Sequence, residues 1–557
     1  MSIENKTSIP NHELIRKQIT DNILNDNSNK IIILAGPGTG KSYLFKLICE
    51  KNVSSGKKNN LVLTFINELV DDLSRDLYKL SDVKTLHSFA LGLIPGNKKI
   101  FLKLGDIIEE DYEVVNNEKI DYKYIFCNMI DEKDKLDFYS KRRKYYDYFS
   151  PNCSVYTLIK IFENNHHKIP KYSHILIDEF QDFNKLESTL IDYLSQQNPI
   201  LIVGDDDQSL YAFKYADPSD IRAKFNSDVF KSYNLPYCSR CPQVTIDAFE
   251  RVIQSAQSQG FLGERMAKQF IYYPSKDKDG FSASNNKIIV KKEVFQTKNA
   301  YNIIHEIEKN FDPRCEHLPS VLIICPLRRQ IEPLEKALRK KGFKNVDASQ
   351  KYENDQLIDG INLLLADSKN NLGWRILFKY LCDKTKNEER FKQLINESNS
   401  TNKPILELLN ADEKRRLKKI IACTRKITRD NLIDEAEQDL VFDFFGYNPR
   451  DIAVRTLKDS VEQERMAKHV YKNTPIKIVT RLGSKGLTTD YAFLVNFDDK
   501  YLLERNSEGI LTISDESICN FLVTITRAKI KTYIFTSERD LPTYLNWIGN
   551  DLIEELL

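Results

Sequence analysis

Long apolar runs are missing from this 557-residue chain. No stretch of about 18 apolar residues occurs, so no membrane-spanning helix and no membrane partner are expected. The opening residues, MSIENKTSIPNHELIRKQ, lack the apolar core of a signal peptide, and a cytoplasmic location is the expectation. An excess of charge of one sign is also missing. The net charge is +2, which excludes a globally basic nucleic-acid binder. Only local basic clusters remain: Lys141-Arg142-Arg143-Lys144 beside Tyr145 and Tyr146, and Lys414-Arg415-Arg416 with Lys418-Lys419. Metal-ligand spacing is missing as well. The ten cysteines are scattered and expected to be reduced. Cys238 and Cys241 form one CxxC pair with no second pair or nearby histidines at ligand spacing, and His166-His167 stands alone, so none of these is expected to hold metal. No Pro/Gly/Ser-rich linker or internal repeat marks a domain edge. The length nevertheless allows about three or four domains. The content, 41% apolar and 29% charged, is ordinary for a soluble globular protein.

What is present begins at residues 31–48, IIILAGPGTGKSYLFKLI. Four apolar residues, Ile31 to Leu34, read as a short buried strand. A turn of small residues follows, Ala35-Gly36-Pro37-Gly38-Thr39-Gly40, and then Lys41, Ser42 and the periodicity of a helix. Strand, glycine-rich loop and helix in this order build a P-loop. Glycines let backbone N–H groups close around phosphates, and the helix N-terminus adds favourable partial charge. Lys41 can reach the β- and γ-phosphates of ATP, and the Ser42 hydroxyl can ligate Mg²⁺. Ala35 stands where the strict pattern has glycine.

An amphipathic stretch over 11–25, containing Gln18, predicts the first helix. Residues 61–65 predict a second strand, which runs through Thr64-Phe65-Ile66-Asn67 into a helix over 67–79. Val83 to Phe89 is a short polar-ended segment. Between about 90 and 167, tyrosine, lysine and aspartate dominate and helical patterns prevail, as in an insertion. Strand character resumes at 174–177 and ends in Asp178-Glu179-Phe180-Gln181-Asp182. Two acids after an apolar strand fit the second half of an NTPase site: Asp178 for Mg²⁺, and Glu179 to orient and deprotonate the attacking water. A strand at 199–203 then runs into Gly204-Asp-Asp-Asp-Gln208-Ser-Leu-Tyr211-Ala-Phe213. The second half repeats the scheme without a P-loop. Its strands are expected at 287–290, 320–324, 476–479, 492–495 and 533–536, with a charge-rich helical insertion between roughly 376 and 471. The expected fold is α/β, with two parallel-sheet domains, each carrying a mainly helical insertion. The first domain takes 1–89 and 168–250 with 90–167 inserted; the second takes 251–375 and 472–557 with 376–471 inserted.

Taken together, these motifs resemble those of the superfamily 1 DNA helicases of the UvrD/Rep/PcrA type, in order and over nearly the whole chain. The resemblance implies two RecA-like P-loop NTPase domains, ATP and Mg²⁺ as cofactors, and single-stranded or tailed duplex DNA as partner. Gln18 would read the adenine, and Ala35 to Ser42 would hold the phosphates. Gln208 would sense the γ-phosphate. Leu235-Pro-Tyr-Cys-Ser-Arg240 matches the family's L-x-x-N-Y-R and places Arg240 at the phosphate; Val523-Thr-Ile-Thr-Arg527-Ala528 does the same for Arg527. Ile478-Val-Thr480-Arg-Leu-Gly-Ser-Lys485-Gly486-Leu487 matches the fifth motif, with Gly486 on the ATP side and Thr480 on the DNA side. Phe65, Asn67, Thr85, His87, Tyr211 and Phe213 fall on DNA-contacting positions, where aromatic rings stack on any base. The departures are Ser239 for a stacking tyrosine (with Tyr237 close by), Leu482 for histidine, Thr488 for glutamate, and Lys214-Tyr215 for Arg-Gly. The resemblance implies an ATP-driven 3′→5′ translocase and helicase. A nucleic-acid-gated ATPase switch, one subunit of a repair or phage-defence assembly with a protein partner, and an RNA-directed motor are the alternatives.

Overall fold

The computed structural model describes residues 12–65, 67–96, 99–293, 298–310, 318–348, 356–428, 434–445 and 470–556. The chain divides into two compact units, and neither is continuous in sequence. Unit one comprises residues 1–90, 158–350 and 465–557; unit two comprises 91–157 and 351–464.

Unit one is α/β and holds two parallel sheets. The first has six strands: β1 Lys30–Ala35, β2 Asn60–Thr64, β3 Asp82–Thr85, β4 His174–Ile177, β5 Ile200–Gly204 and β6 Lys231–Leu235. Their spatial order is β3-β2-β4-β5-β1-β6. β1 lies between β5 and β6, with Ile33 opposite Val203 on one side and Tyr233 on the other. Helices cover both faces of a parallel sheet, so central strands read as unbroken apolar runs, which is why KIIILA and ILIVG are legible. The order also decides where chemistry can sit. In open α/β sheets, ligands bind beyond the carboxyl ends of the strands where the order reverses. The P-loop follows β1, DEFQD follows β4, GDDDQ follows β5 and LPYCSR follows β6. All four strand ends are therefore near neighbours.

The second sheet has seven parallel strands in the order Val346–Asp347, Ile476–Thr480, Val321–Cys325, Thr489–Leu494, Ala528–Thr536, Ile288–Lys292, Ile553–Leu556. The register slips between Thr489 and Tyr491, so Asp490 sits in an irregularity of the strand. One buried apolar cluster runs through both halves of the unit. It takes Leu210, Cys238, Cys241 and Phe249 from the first and Leu322, Leu494, Leu522 and Val523 from the second.

In unit two the helical stretches of the two insertions build one body. Helices Leu104–Asn116 and Lys133–Tyr146 come from the first stretch, and Asn371–Thr385 and Glu388–Thr401 from the second. Asp111 ties them together. Its Oδ2 accepts from Arg142 Nε at 2.9 Å and from the Tyr146 hydroxyl at 2.6 Å, while its Oδ1 accepts from Arg375 Nε at 3.2 Å. Arg142 also donates to Ser398 Oγ at 3.2 Å. Both arginines are 1% exposed. The local basic cluster Lys141 to Lys144 is therefore not a single charged face. Arg142 is buried in the ion cluster, and Arg143 stacks its guanidinium 3.9 Å from the Phe149 ring. The second stretch is already part of unit two at Gln356, ahead of the expected 376, because Gln356–Ala366 packs against Asn371–Thr385. Gly360 and Gly373 permit that approach: a Cβ on Gly373 would lie 2.9 Å from the Gly360 carbonyl. The first stretch ends at Thr157, ahead of the expected 167.

Candidate functional site

After β1 the chain turns through Gly36 to Gly40 into the helix Lys41–Ser54. Gly38 has φ +68° and Gly40 φ +97°, backbone that glycine adopts freely. Gly38 is also short of space, because a Cβ there would stand 2.3 Å from the Cβ of Arg240. The Ser239 N–H donates to the Gly38 carbonyl at 2.9 Å. The arginine loop after β6 is thus pressed directly onto the phosphate loop.

Lys41 Nζ lies 2.7 Å from Glu179 Oε1. Glu179 itself sits at φ +54°, a conformation that a non-glycine residue holds only when its surroundings fix it. Those surroundings are a hydrogen-bonded chain across the strand ends. Gln181 Nε2 donates to Glu179 Oε2 at 2.7 Å, Asp205 N–H donates to Gln181 Oε1 at 2.9 Å, and Gln208 Nε2 donates to Asp205 Oδ2 at 2.7 Å. Burial raises the proton affinity of Glu179, but Lys41 and Lys485 outweigh it and hold the carboxyl below its usual range. Asp178, buried beside this ionised neighbour, is pushed upward. Its Oδ1 is buried with no hydrogen-bond partner, an orphaned acceptor of the kind a cation satisfies. Asp178 and Ser42 therefore fit Mg²⁺. The three acids after β5 do not form a further cation site. Lys268 bonds both Asp205 and Asp206 and lies 3.1 Å from Asp207, and Arg265 Nε reaches Asp207 at 2.8 Å.

The second half supplies Lys485 and Arg527. Lys485 is buried, 2.6 Å from Asp182 Oδ2 and 3.9 Å from Glu179 Oε2, and it donates to the Gln208 carbonyl. Arg527 is 1% exposed, and its guanidinium donates to the carbonyls of Val523 at 2.6 Å and Leu487 at 3.2 Å. Burial, and then the nearby charge of Arg240, pull it down to about 9. Arg240 lines an open cavity of about 510 Å³ with Gly38, Lys41, Ser42, Lys278 and Thr488. On either side of Arg240, Cys238 and Cys241 are fully buried, and Cys241 Sγ contacts the Thr526 carbonyl at 3.5 Å. The CxxC pair packs the arginine loop against the residue preceding Arg527, a role that its spacing alone could not suggest.

Aromatic rings adjoin this machinery. Tyr211 is buried with its ring centroid 5.5 Å from Lys485 Nζ. Phe65 lies 4.9 Å and Phe213 5.7 Å from the Tyr211 ring, and Phe213 is 52% exposed.

A family profile described as AAA domain matches residues 20–214, the span from the first helix to Lys214. The chain is similar to the ATP-dependent DNA helicase PcrA of Staphylococcus aureus, at 26% identity over 34% of this chain and 33% of the relative. It is also similar to an ATP-dependent helicase/nuclease of Latilactobacillus sakei, at 45% identity over 10% of this chain and 6% of that protein. Over the matched residues the chain is similar to UvrD-like helicases of superfamily 1. The matches span about a third of PcrA and under a tenth of the helicase/nuclease proteins of L. sakei and Syntrophomonas wolfei.

In this chain the strand ends bring together Lys41, Ser42, Asp178, Glu179, Gln208 and Arg240, with Arg527 buried close to Arg240. Gln18 is not brought in. It is exposed on its helix, while Arg16, Ile19 and Thr20 of the same helix line a small recess with Tyr43 and Tyr237. The helical repeat turns Gln18 away once Ile19 and Ile23 face the sheet. Thr85 Oγ1 accepts from the Ser88 N–H at 3.2 Å, and Thr480 Oγ1 from the Gly483 N–H at 3.3 Å. His87 Nε2 lies 3.4 Å from the buried Glu187. Gly486 has φ +78° beside buried Lys485. Ile66 and the side chain of Asn67 lie outside the described residues. Among the described residues, no helix is long and apolar enough to cross a membrane.

Proposed function

We propose that this chain is an ATP-driven motor that hydrolyses ATP to ADP and phosphate, moves 3′→5′ along single-stranded DNA and opens tailed duplexes. One observation carries the reading: Arg240 is pressed against Gly38 of the P-loop and lines a cavity with Lys41 and Ser42, and the charge of buried Arg527 is disfavoured by burial and by Arg240. Like charges held close together are unfavourable until a compact anion arrives, and a triphosphate is such an anion. Lys41 would then exchange Glu179 for the β- and γ-phosphates. Glu179, released from Lys41, accepts the proton of the attacking water. Mg²⁺, when held by Ser42 and Asp178, neutralises charge on the phosphates.

The link from hydrolysis to movement runs through Lys485. It bonds the Gln208 carbonyl and lies over Tyr211, so nucleotide and track act on one side chain. DNA as the track is supported by the relative named an ATP-dependent DNA helicase. The test is ATPase rate against single-stranded DNA length, with strand displacement on 3′-tailed, 5′-tailed and blunt duplexes. A motor's rate rises with length before levelling, and only the 3′-tailed substrate opens. Stimulation independent of length overturns the motor and leaves a gated ATPase switch with a protein partner. That second reading is favoured by the burial of Arg142, which removes part of a surface able to grip duplex. Stimulation by RNA in place of DNA would reassign the track.

A further inference from the structure

The three rings around Tyr211 already hold a cation. Lys214 Nζ lies 4.5 Å from the centroid of Phe65, 4.9 Å from that of Tyr211 and 5.9 Å from that of Phe213. The backbone brings it there. The N–H groups of Lys214 and Ala216 both donate to the Tyr211 carbonyl, at 2.8 Å and 3.2 Å. Between them Tyr215 is held at φ +61°, a left-handed conformation unfavourable for a bulky side chain. A strained turn thus folds the lysine back over ring faces of which Phe213 alone is largely exposed.

An ammonium over an aromatic face uses the same surface that a stacked base would cover. Both cannot occupy it. We propose that Lys214 is an internal competitor for the stacking platform, covering the rings until a base of single-stranded nucleic acid displaces it. This rests on the motor reading above and adds how the track is released. A motor must let go of each base in turn. A tethered cation gives the rings a substitute partner at that moment, so unstacking one base leaves no bare aromatic face. Lys485 over Tyr211, its partner Asp182, and the buried carboxyl of Glu187, which faces both Lys214 and His87, are charged or titratable neighbours of this platform.

The test is equilibrium binding of a fluorescent oligo-dT to the full chain without nucleotide, over a series of KCl concentrations, for wild type, Lys214→Met and Lys214→Arg. Methionine keeps the length of the side chain and removes the charge. Lys214→Met should bind about three- to thirtyfold tighter, the range set by cation–π strengths, with an unchanged salt slope. Lys214→Arg, which keeps a cation on the rings, should behave as wild type. Weaker binding by Lys214→Met with a salt slope shallower by about one means that Lys214 grips a phosphate, and overturns the proposal. Unchanged affinity overturns it too. If a thermal melt shows Lys214→Met misfolded, Lys214→Gln answers the same question. Failure of wild type to bind the oligonucleotide is a separate result, visible without any variant. It would remove the motor reading and this proposal with it.

Discussion

In the proposed motor, single residues would carry the chemistry of hydrolysis, and their roles separate by substitution. Lys41→Ala should abolish ATP hydrolysis and weaken nucleotide binding, because the phosphates lose their cation; ATPase and nucleotide-binding assays check both. Glu179→Gln should bind ATP and fail to turn it over, since an amide cannot accept the water's proton, so near wild-type turnover would disprove its role as base. Gly38→Ala should cost nucleotide binding for a different reason. Its added methyl would stand 2.3 Å from Arg240 Cβ at φ +68°, so the phosphate loop and the arginine loop must move apart. A thermal melt with and without Mg·ATP should show the ligand-induced rise in Tm reduced in that variant. Most of these residues were legible in the sequence, because a phosphate loop demands glycines before a lysine and a hydroxyl, and a hydrolytic acid pair demands an apolar strand before it. The role of Lys485 was not: the fifth motif contains it, but its partner Asp182 is 303 positions away and only the fold brings the two together.

Among elements, the central strands announced themselves and the edges did not. KIIILA, HILI and ILIVG are buried on both faces. DVKT of β3 and KSYNL of β6 are edge strands with exposed or half-exposed residues, so no apolar run marks them. The two-residue strand Val346–Asp347 is too short to show any period. The helix Lys133–Tyr146 misled in another way. Lys141 to Lys144 looks like one basic face, yet a helix turns by 3.6 residues, so neighbours cannot all face water. Arg142 faces inward, and burying it requires Asp111. Asp111→Asn should therefore destabilise unit two by about 3–5 kcal/mol, because Arg142 would be left as an uncompensated buried charge and Arg375 would keep only the half-exposed Glu110 as its partner. Urea unfolding followed by circular dichroism checks this. A loss under about 1 kcal/mol would mean that water reaches the cluster. Acid should act the same way. Burial raises the Asp111 carboxyl, but Arg142 and Arg375 outweigh it and hold it below its usual range, so its stabilisation is present above the ordinary carboxylate pKa and disappears as pH falls through the lowered one.

For the molecule as a whole, the question the proposed motor raises is how hydrolysis would become work. Arg240→Ala and Arg527→Ala should each slow hydrolysis by about 10³-fold or more, the scale of an arginine supplied to a phosphoryl transfer. Losses of only a few-fold in both would end the convergent-arginine mechanism. Walking then differs from strand separation. Each base-pair step opposes the motor by about 1.4 kcal/mol of stacking. Opening a duplex also needs a surface that engages it ahead of the track. With Arg142 withdrawn, the basic candidate that remains is the helix Ala411–Thr428, on which Arg415, Arg416, Lys418 and Lys419 are exposed. Its opposite face, Leu417, Ile420 and Ile421, is committed to the core of unit two, so the basic side is fixed toward solvent. ATPase activity should therefore be strongly stimulated by single-stranded DNA while unwinding by the isolated chain stays weak and sensitive to salt. Replacing the four exposed cations with glutamine should reduce displacement of a 3′-tailed duplex several-fold more than it reduces DNA-stimulated ATPase. Added salt should do the same to wild type. Efficient unwinding of long tailed duplexes by the single chain, unchanged in the four-fold variant, would show that this helix is only a solvated face and that the duplex is held elsewhere.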